Sequence, residues 1–229
     1  MGDVLEDLLF PQYCPLCGEK TTAREGICPR CLASLPRIGE KVCTRCGRPM
    51  AWRGVCTECA PRPPSRGWSR RRCLYHYDDT MASLVHRMKY GGDRSLLRTF
   101  SRELSDFYCE SFRNRVHHAV VPVPLAYSRQ KERGFNQAEE LASLLPCENG
   151  AGLLKRGRKT RPQSSLESIR ERRENVKGAF CVTKEIGNLS LLLVDDVVTS
   201  GATTEEAARA LKRGGARRVD ILALCLARS

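Results

Sequence analysis

Asp195 and Asp196 close an apolar run, Leu191 to Val194, and after two valines the chain reads Thr199-Ser200-Gly201-Ala202-Thr203. A turn made only of hydroxyls, a glycine and small residues points backbone N–H groups and side-chain oxygens at one spot. A helix starting there adds a positive partial charge, and the combination suits a dianionic phosphate. Two carboxylates just before the turn repel that phosphate, but they suit ribose hydroxyls as donors, or Mg2+ held through water. Such a site needs a strand, the turn and a helix in that order. Leu191 to Val194 reads as an interior parallel strand. Thr203-x-x-Glu206 predicts a capping box. Ala207, Ala210 and Leu211 give a close-packing face that ends at Lys212, Arg213 and Gly214, and Val219 to Leu226 is the next strand. Together they make a βαβ unit. An NTPase with an acidic strand end needs G-x-x-x-x-G-K-[ST], and a dinucleotide fold needs G-x-G-x-x-G; the sequence has neither.

A second chemistry lies at the front. Eight of the 13 cysteines form four Cys-x-x-Cys pairs, Cys14/Cys17, Cys28/Cys31, Cys43/Cys46 and Cys56/Cys59. CPLCGEKTTAREGICPRC and CTRCGRPMAWRGVCTEC are two versions of one repeat, with Gly18 or Gly47 after the second cysteine. Each pair aims two thiolates at one point, and a hairpin brings up the second pair to complete a tetrahedron around zinc. A disulfide framework needs an oxidising compartment, and a thioredoxin-like pair needs one motif in a βαβ setting. Four thiolates leave no open coordination position, so this zinc is structural. Sequential and crossed pairing both satisfy the spacing.

Residues 10–62 therefore read as a double zinc-ribbon module, 63–78 as a basic Pro/Arg linker and 79–229 as an α/β domain. In the linker, Arg66, Arg70, Arg71 and Arg72 form either a phosphate-contacting strip or a solvated face. Met81, Leu84, Val85 and Met88 predict a helix that stops at Gly91-Gly92, and Leu97, Phe100, Leu104 and Phe107 or Tyr108 predict a longer one. His86 and Lys89 sit where cations suit a helix end, and His117 and His118 read as strand-edge residues. Ala119 to Leu125 reads as a buried strand. Arg129, Lys131 and Arg133, with Gly134 for a turn, read as a cationic loop at that strand's carboxyl end, where α/β sheets bind ligands. Asn136 with Glu139 starts the next helix, whose inward face is Ala138, Leu141, Ala142 and Leu145.

The charge balance, 39 Lys+Arg against 26 Asp+Glu for a net +13, favours polyanionic partners without choosing among them. No stretch approaches ~18 consecutive apolar residues, and Met1 to Phe10 lacks a signal h-region. The expectation is a cytoplasmic protein with no membrane span, in which Cys73, Cys109, Cys147, Cys181 and Cys225 are ordinary buried thiols.

VDDVVTSGATT resembles the phosphoribosyl-pyrophosphate loop of type I phosphoribosyltransferases. With KERGFNQAEELA, RPQSSLESIRERRENVKGAF and the cysteine module in the same order, nearly the whole chain resembles the ComF family of competence-associated proteins. The resemblance implies a mostly parallel sheet flanked by helices, with a small zinc-ribbon module in front. It places Asp195 and Asp196 at the ribose as catalytic residues, and Val197 and Thr199, Ser200, Gly201, Ala202 and Thr203 around the 5′-phosphate. Arg129, Lys131 and Arg133 are the candidates for the pyrophosphate side, and Mg2+ is expected with the substrate. Ser200 stands where members commonly have threonine, which keeps the hydroxyl. The stretch 155–177, nine basic residues against three acidic, reads as a lid over the ribose, a nucleic-acid strip or a solvated face. Glutamine-dependent chemistry is not expected, because residue 2 is Gly2 and the early cysteines belong to metal. Two functions fit: a transferase acting on phosphoribosyl pyrophosphate, or a single-stranded-DNA-binding component of DNA uptake, working with other competence proteins.

Overall fold

In the computed structural model, which describes residues 12–21, 26–61, 67–158 and 168–227, two short strands, β1 (Gln12–Tyr13) and β2 (Lys20–Thr21), and the helix α1 (Pro29–Ala33) frame the first cysteine repeat. Behind the second repeat come β3 (Arg71–Tyr77), α2 (Asp79–Tyr90), α3 (Arg94–Phe112), β4 (Ala119–Pro122), α4 (Tyr127–Arg133), α5 (Gln137–Ala142) and β5 (Glu148–Asn149). The chain ends with β6 (Leu154–Arg156), α6 (Ile169–Val176), β7 (Phe180–Val182), β8 (Ser190–Val198), α7 (Ala202–Arg213) and β9 (Arg218–Ala227). Five strands form one parallel sheet of order β3-β9-β8-β4-β5, and β6 and β7 pair separately. The expectation of a parallel sheet flanked by helices, behind a zinc-ribbon module, matches this architecture.

The helices divide between the faces. α2, α3 and α5 cover one with Met81, Leu84, Leu96, Phe100, Leu104 and Leu141, and α7 covers the other with Ala207, Ala208 and Leu211. In the α3 stripe Tyr108 faces the core and Phe107 is only partly buried. α2 stops where the glycine pair predicts, with Gly91 as its cap.

Arg71–Tyr77, read from the sequence as linker, is instead the edge strand of the sheet. Its cationic start disguised it. The module lies along its open edge: Ile38 N–H donates to Leu74 O, His76 N–H to Pro36 O and Arg71 N–H to Arg45 O. Bonds of this kind cover an edge that would otherwise template aggregation. The two repeats straddle β3, with Cys14 and Cys28 in the core beneath α3 and Cys43, Cys46, Cys56 and Cys59 in the core beneath α7.

Candidate functional site

β4 stops earlier than its apolar run suggests. The β4–β8 register ends at Pro122 opposite Val194, and the last bond between the two is the Val123 N–H donated to Val194 O. On its other side β8 stays paired with β9 as far as Val198 opposite Leu226. Asp195 to Val198 therefore run past their former neighbour, with Asp195, Asp196 and Val197 half-buried. From β4 the chain leads to α5 on one face, and from β8 to α7 on the other. This is a topological switch point, where parallel α/β sheets bind ligands at the strands' carboxyl ends.

Residues adjacent on a strand point to opposite faces, so the acidic pair is split. Asp196 turns toward the end of α2, where Lys89 Nζ lies 2.5 Å from its Oδ2. Burial pushes the Asp196 carboxyl up, but the Lys89 charge, the Val197 N–H donated to Oδ1 and Arg133 outweigh it, and the net shift is down. Burial likewise lowers Lys89, yet Asp196 reverses the sign and raises it. Asp195 has no such cation against it. Its Oδ1 accepts the Asp196 N–H, while burial first and the Asp196 charge second push its carboxyl well above the usual range. Lys89 was readable only as a helix-end cation; nothing local marks its partner on β8.

The cationic segment after β4 is helical, not a loop, and this separates its three charges. Arg129 and Arg133, one turn apart on α4, are half-buried; Lys131 projects away and is exposed. Arg133 is braced, donating to Gln137 Oε1 and Tyr90 Oη, both at 2.9 Å, with its guanidinium 4.8 Å over the Tyr90 ring. Arg156 joins them from β6. It lies over Phe180, and burial, then Arg129, pulls its pKa down while Asp195 opposes. The structure thus gathers Lys89, Arg129, Arg133 and Arg156 around the acidic pair and leaves Lys131 out. Residues 159–167, the middle of the stretch read as a lid, lie outside the described residues; its ends are strand β6 and helix α6.

The predicted capping box at Thr203 is not formed, because α7 begins earlier. Gly201 is its N-cap at φ 75°, with no side-chain cap bond, and Glu206 turns away to accept the Gly178 N–H. Thr203 therefore falls in the first turn, where N–H groups have no partner one turn back. Thr204 Oγ1 donates to Gly201 O and Ser200 Oγ accepts the Ala202 N–H at 3.4 Å, which ties the turn to the helix. Amides of a first turn and the hydroxyls of Thr199, Ser200 and Thr203 suit an anion. The split acidic pair beyond them suits sugar hydroxyls or a hydrated divalent ion.

The cysteines close into two sequential tetrads, Cys14, Cys17, Cys28 and Cys31, and Cys43, Cys46, Cys56 and Cys59, with every Sγ within 4.8 Å of the others in its set. Cys17 and Cys28, and likewise Cys46 and Cys56, stand 3.7 Å apart at sulfur, the edge of a tetrahedron with Zn–S of about 2.3 Å. Burial alone would raise Cys43, but N–H groups of Cys56, Cys46 and Arg45 hold its thiol near about 6, favouring the thiolate a metal needs. The residues fit two structural zinc ions. Among the other cysteines, Cys73 and Cys225 are buried as expected and Cys147 is half-buried, but Cys109 and Cys181 are exposed. Among the described residues no helix is long and apolar enough to cross a membrane.

A family model described as a phosphoribosyl transferase domain matches residues 109–229, and one described as a double zinc ribbon domain matches residues 5–60. The DNA utilization protein YhgH of Salmonella typhimurium is 32% identical over 227 residues, covering 95% of this chain and 98% of its own. Competence protein ComFC of Bacillus subtilis is 29% identical over 205 residues, 83% of this chain and 80% of its own. Competence protein F of Haemophilus influenzae is 29% identical over 221 residues, 92% and 94% of the two chains.

Proposed function

Since the chain belongs to the ComF family, a double zinc ribbon joined to a phosphoribosyl transferase domain, we propose that it binds phosphoribosyl pyrophosphate with Mg2+ at the crevice beside Asp195 to Thr203. The observation that carries this reading is the early end of β4. It opens one side of β8 where an acidic pair, four cations and a hydroxyl-lined helix start meet.

In this reading the first turn of α7 and the hydroxyls of Thr199, Ser200 and Thr203 hold the 5′-phosphate. Val197 and Ala202 form the walls of that turn. Asp195, whose carboxyl receives one backbone N–H, accepts the ribose hydroxyls, and Asp196 is kept ionised by Lys89. Transfer breaks the anomeric C–O bond to pyrophosphate while positive charge builds on the ribose. Arg129, Arg133 and Arg156 stabilise the departing pyrophosphate, and charges fixed in advance do this without reorganisation. Mg2+ bound with the substrate would add charge neutralisation on that group. Lys131, facing solvent, has no part in it. Calorimetry tests the site: Asp195→Asn with Asp196→Asn abolishes Mg2+-dependent binding of phosphoribosyl pyrophosphate, and unchanged binding refutes the assignment. Pyrophosphate release, followed across nucleobases and DNA, identifies the acceptor.

A second reading, single-stranded DNA binding, is favoured by exposed aromatics beside cations: Trp52, 67% exposed, next to Arg53, and Tyr127, 79% exposed, one turn from Lys131. Base stacking with backbone neutralisation works through such pairs. Two of the relatives are named for competence and one for DNA utilization. DNA affinity that falls steeply with salt supports it; a flat response removes it.

A further inference from the structure

The segment read as a basic linker contributes a cation to the phosphate turn. Arg71 opens β3, and its backbone is fixed by the second cysteine tetrad: Arg71 N–H donates to Arg45 O, and Gly47 packs so closely that a Cβ there would stand 2.7 Å from Arg71 O. Its side chain is fixed by the same tetrad. Nε donates to Cys46 O at 2.8 Å, and the guanidinium lies 5.7 Å from the centre of the Trp68 ring. The fork is thereby carried across to the start of α7, where Nη1 stands 3.1 Å from the point a Cβ on Gly201 would occupy.

Electrostatics makes this placement unusual. A guanidinium at a helix N-terminus faces the positive end of the dipole, the end that favours anions. The acidic residues of the first turn do not offset it: Glu205 is paired with Arg209, and Glu206 with Gly178 N–H and Arg213. Among the described residues, Arg71's terminal nitrogens donate to no protein acceptor. Two positive elements held face to face are reconciled by one anion between them, and an arginine fork matches phosphate oxygens bidentately.

We propose that Arg71 is a ligand of the 5′-phosphate, supplied from outside the phosphate turn and held in place by the carbonyls of the second zinc-binding tetrad. The inference rests on the phosphoribosyl reading of the turn. It gives the metal module a part in the site that scaffolding alone does not require.

The test is calorimetric, on the full-length zinc-loaded protein, with ribose 5-phosphate, phosphoribosyl pyrophosphate and pyrophosphate as separate probes. Arg71→Met with wild-type zinc content and melting temperature weakens ribose 5-phosphate and phosphoribosyl pyrophosphate by the same factor, about ten- to a hundred-fold. Pyrophosphate binding is unchanged. Arg71→Lys, which keeps a charge but not the fork, falls between. Wild-type protein that binds neither sugar phosphate overturns the site, and this inference with it. Wild-type binding with an indifferent Arg71→Met overturns this inference alone. If the variant does not fold, arginine-directed phenylglyoxal labelling of the unmutated protein decides: ribose 5-phosphate slows modification of Arg71, and an unchanged rate refutes the assignment.

Discussion

Two buried acidic centres lie on neighbouring strands at opposite ends of the sheet, and the fold treats them in opposite ways. At the amino end Asp220 on β9 is fully buried and saturated. Arg115 Nη1 reaches both its oxygens at 2.8 Å, His117 Nε2 one of them at 3.0 Å, and Arg218 Nε lies at 3.3 Å. A further chain runs behind it, from Cys147 Sγ to Tyr108 Oη and from Tyr108 Oη to His117 Nδ1. Burial pushes the Asp220 carboxyl up, but its bonds with His117 and Arg115 outweigh that and hold it below the usual range. At the carboxyl end Asp195 receives one backbone N–H and is pushed the other way. A saturated carboxylate locks strands together. An under-supplied one keeps acceptors for a ligand, and strongly perturbed groups in a crevice mark functional sites.

The comparison breaks most visibly at Asp220. Asp220→Asn leaves Arg115 and Arg218 without their counter-charge, a loss of about 3–5 kcal/mol. A chain of this size then melts roughly 10 °C lower, while the fraction still folded binds ligand as before; differential scanning calorimetry and titration check both halves. A smaller effect follows at the other end. Lys89→Met strips Asp196 of its cation, so the Asp196 carboxyl rises, and Mg2+-dependent binding of phosphoribosyl pyrophosphate weakens about tenfold at neutral pH. Lowering the pH widens that deficit, because the acid protonates sooner.

The smallest effect has the opposite sign. Asp195→Asn removes a charge the fold disfavours, and the melting temperature rises by about 2–4 °C at pH 8. The direction of linkage makes this specific. Asp195 has a folded pKa above its unfolded one, so the folded state takes up the proton first and the cost fades on acidification. The gap between variant and wild type therefore narrows from pH 8 toward the ordinary carboxylate value of about 4. Asp220 runs the other way. Its contribution is complete above about pH 4 and is lost as pH falls through its depressed folded value, so acid unfolding of Asp220→Asn is the less steep.

Much of this molecule was legible one segment at a time. The cysteine repeats announced their tetrads because ligand spacing is a local property, and spacing left only the pairing open. The periodicities of α2 and α3 named their buried faces, and the apolar run and small-residue turn around Asp196 announced the strand-to-helix passage from β8 to α7. Local rules also misled where chain geometry overrode them. Gly201 in the left-handed region starts α7 before Thr203 can cap it, and β4 ends at Pro122, short of its apolar run.

The sequence by itself determined which cysteines close into tetrads, where strand β8 turns into helix α7 and which helices bury which stripe, because each depends on neighbours a few positions apart. Only the tertiary structure decided that Arg71 to Tyr77 is a sheet edge clasped by the metal module. Only it brought Lys89 to Asp196, turned Lys131 away and set Arg71 over Gly201. Those relations join residues far apart in the chain, and what fixes them is strand order and the pairing of backbone groups across elements, which no local pattern encodes.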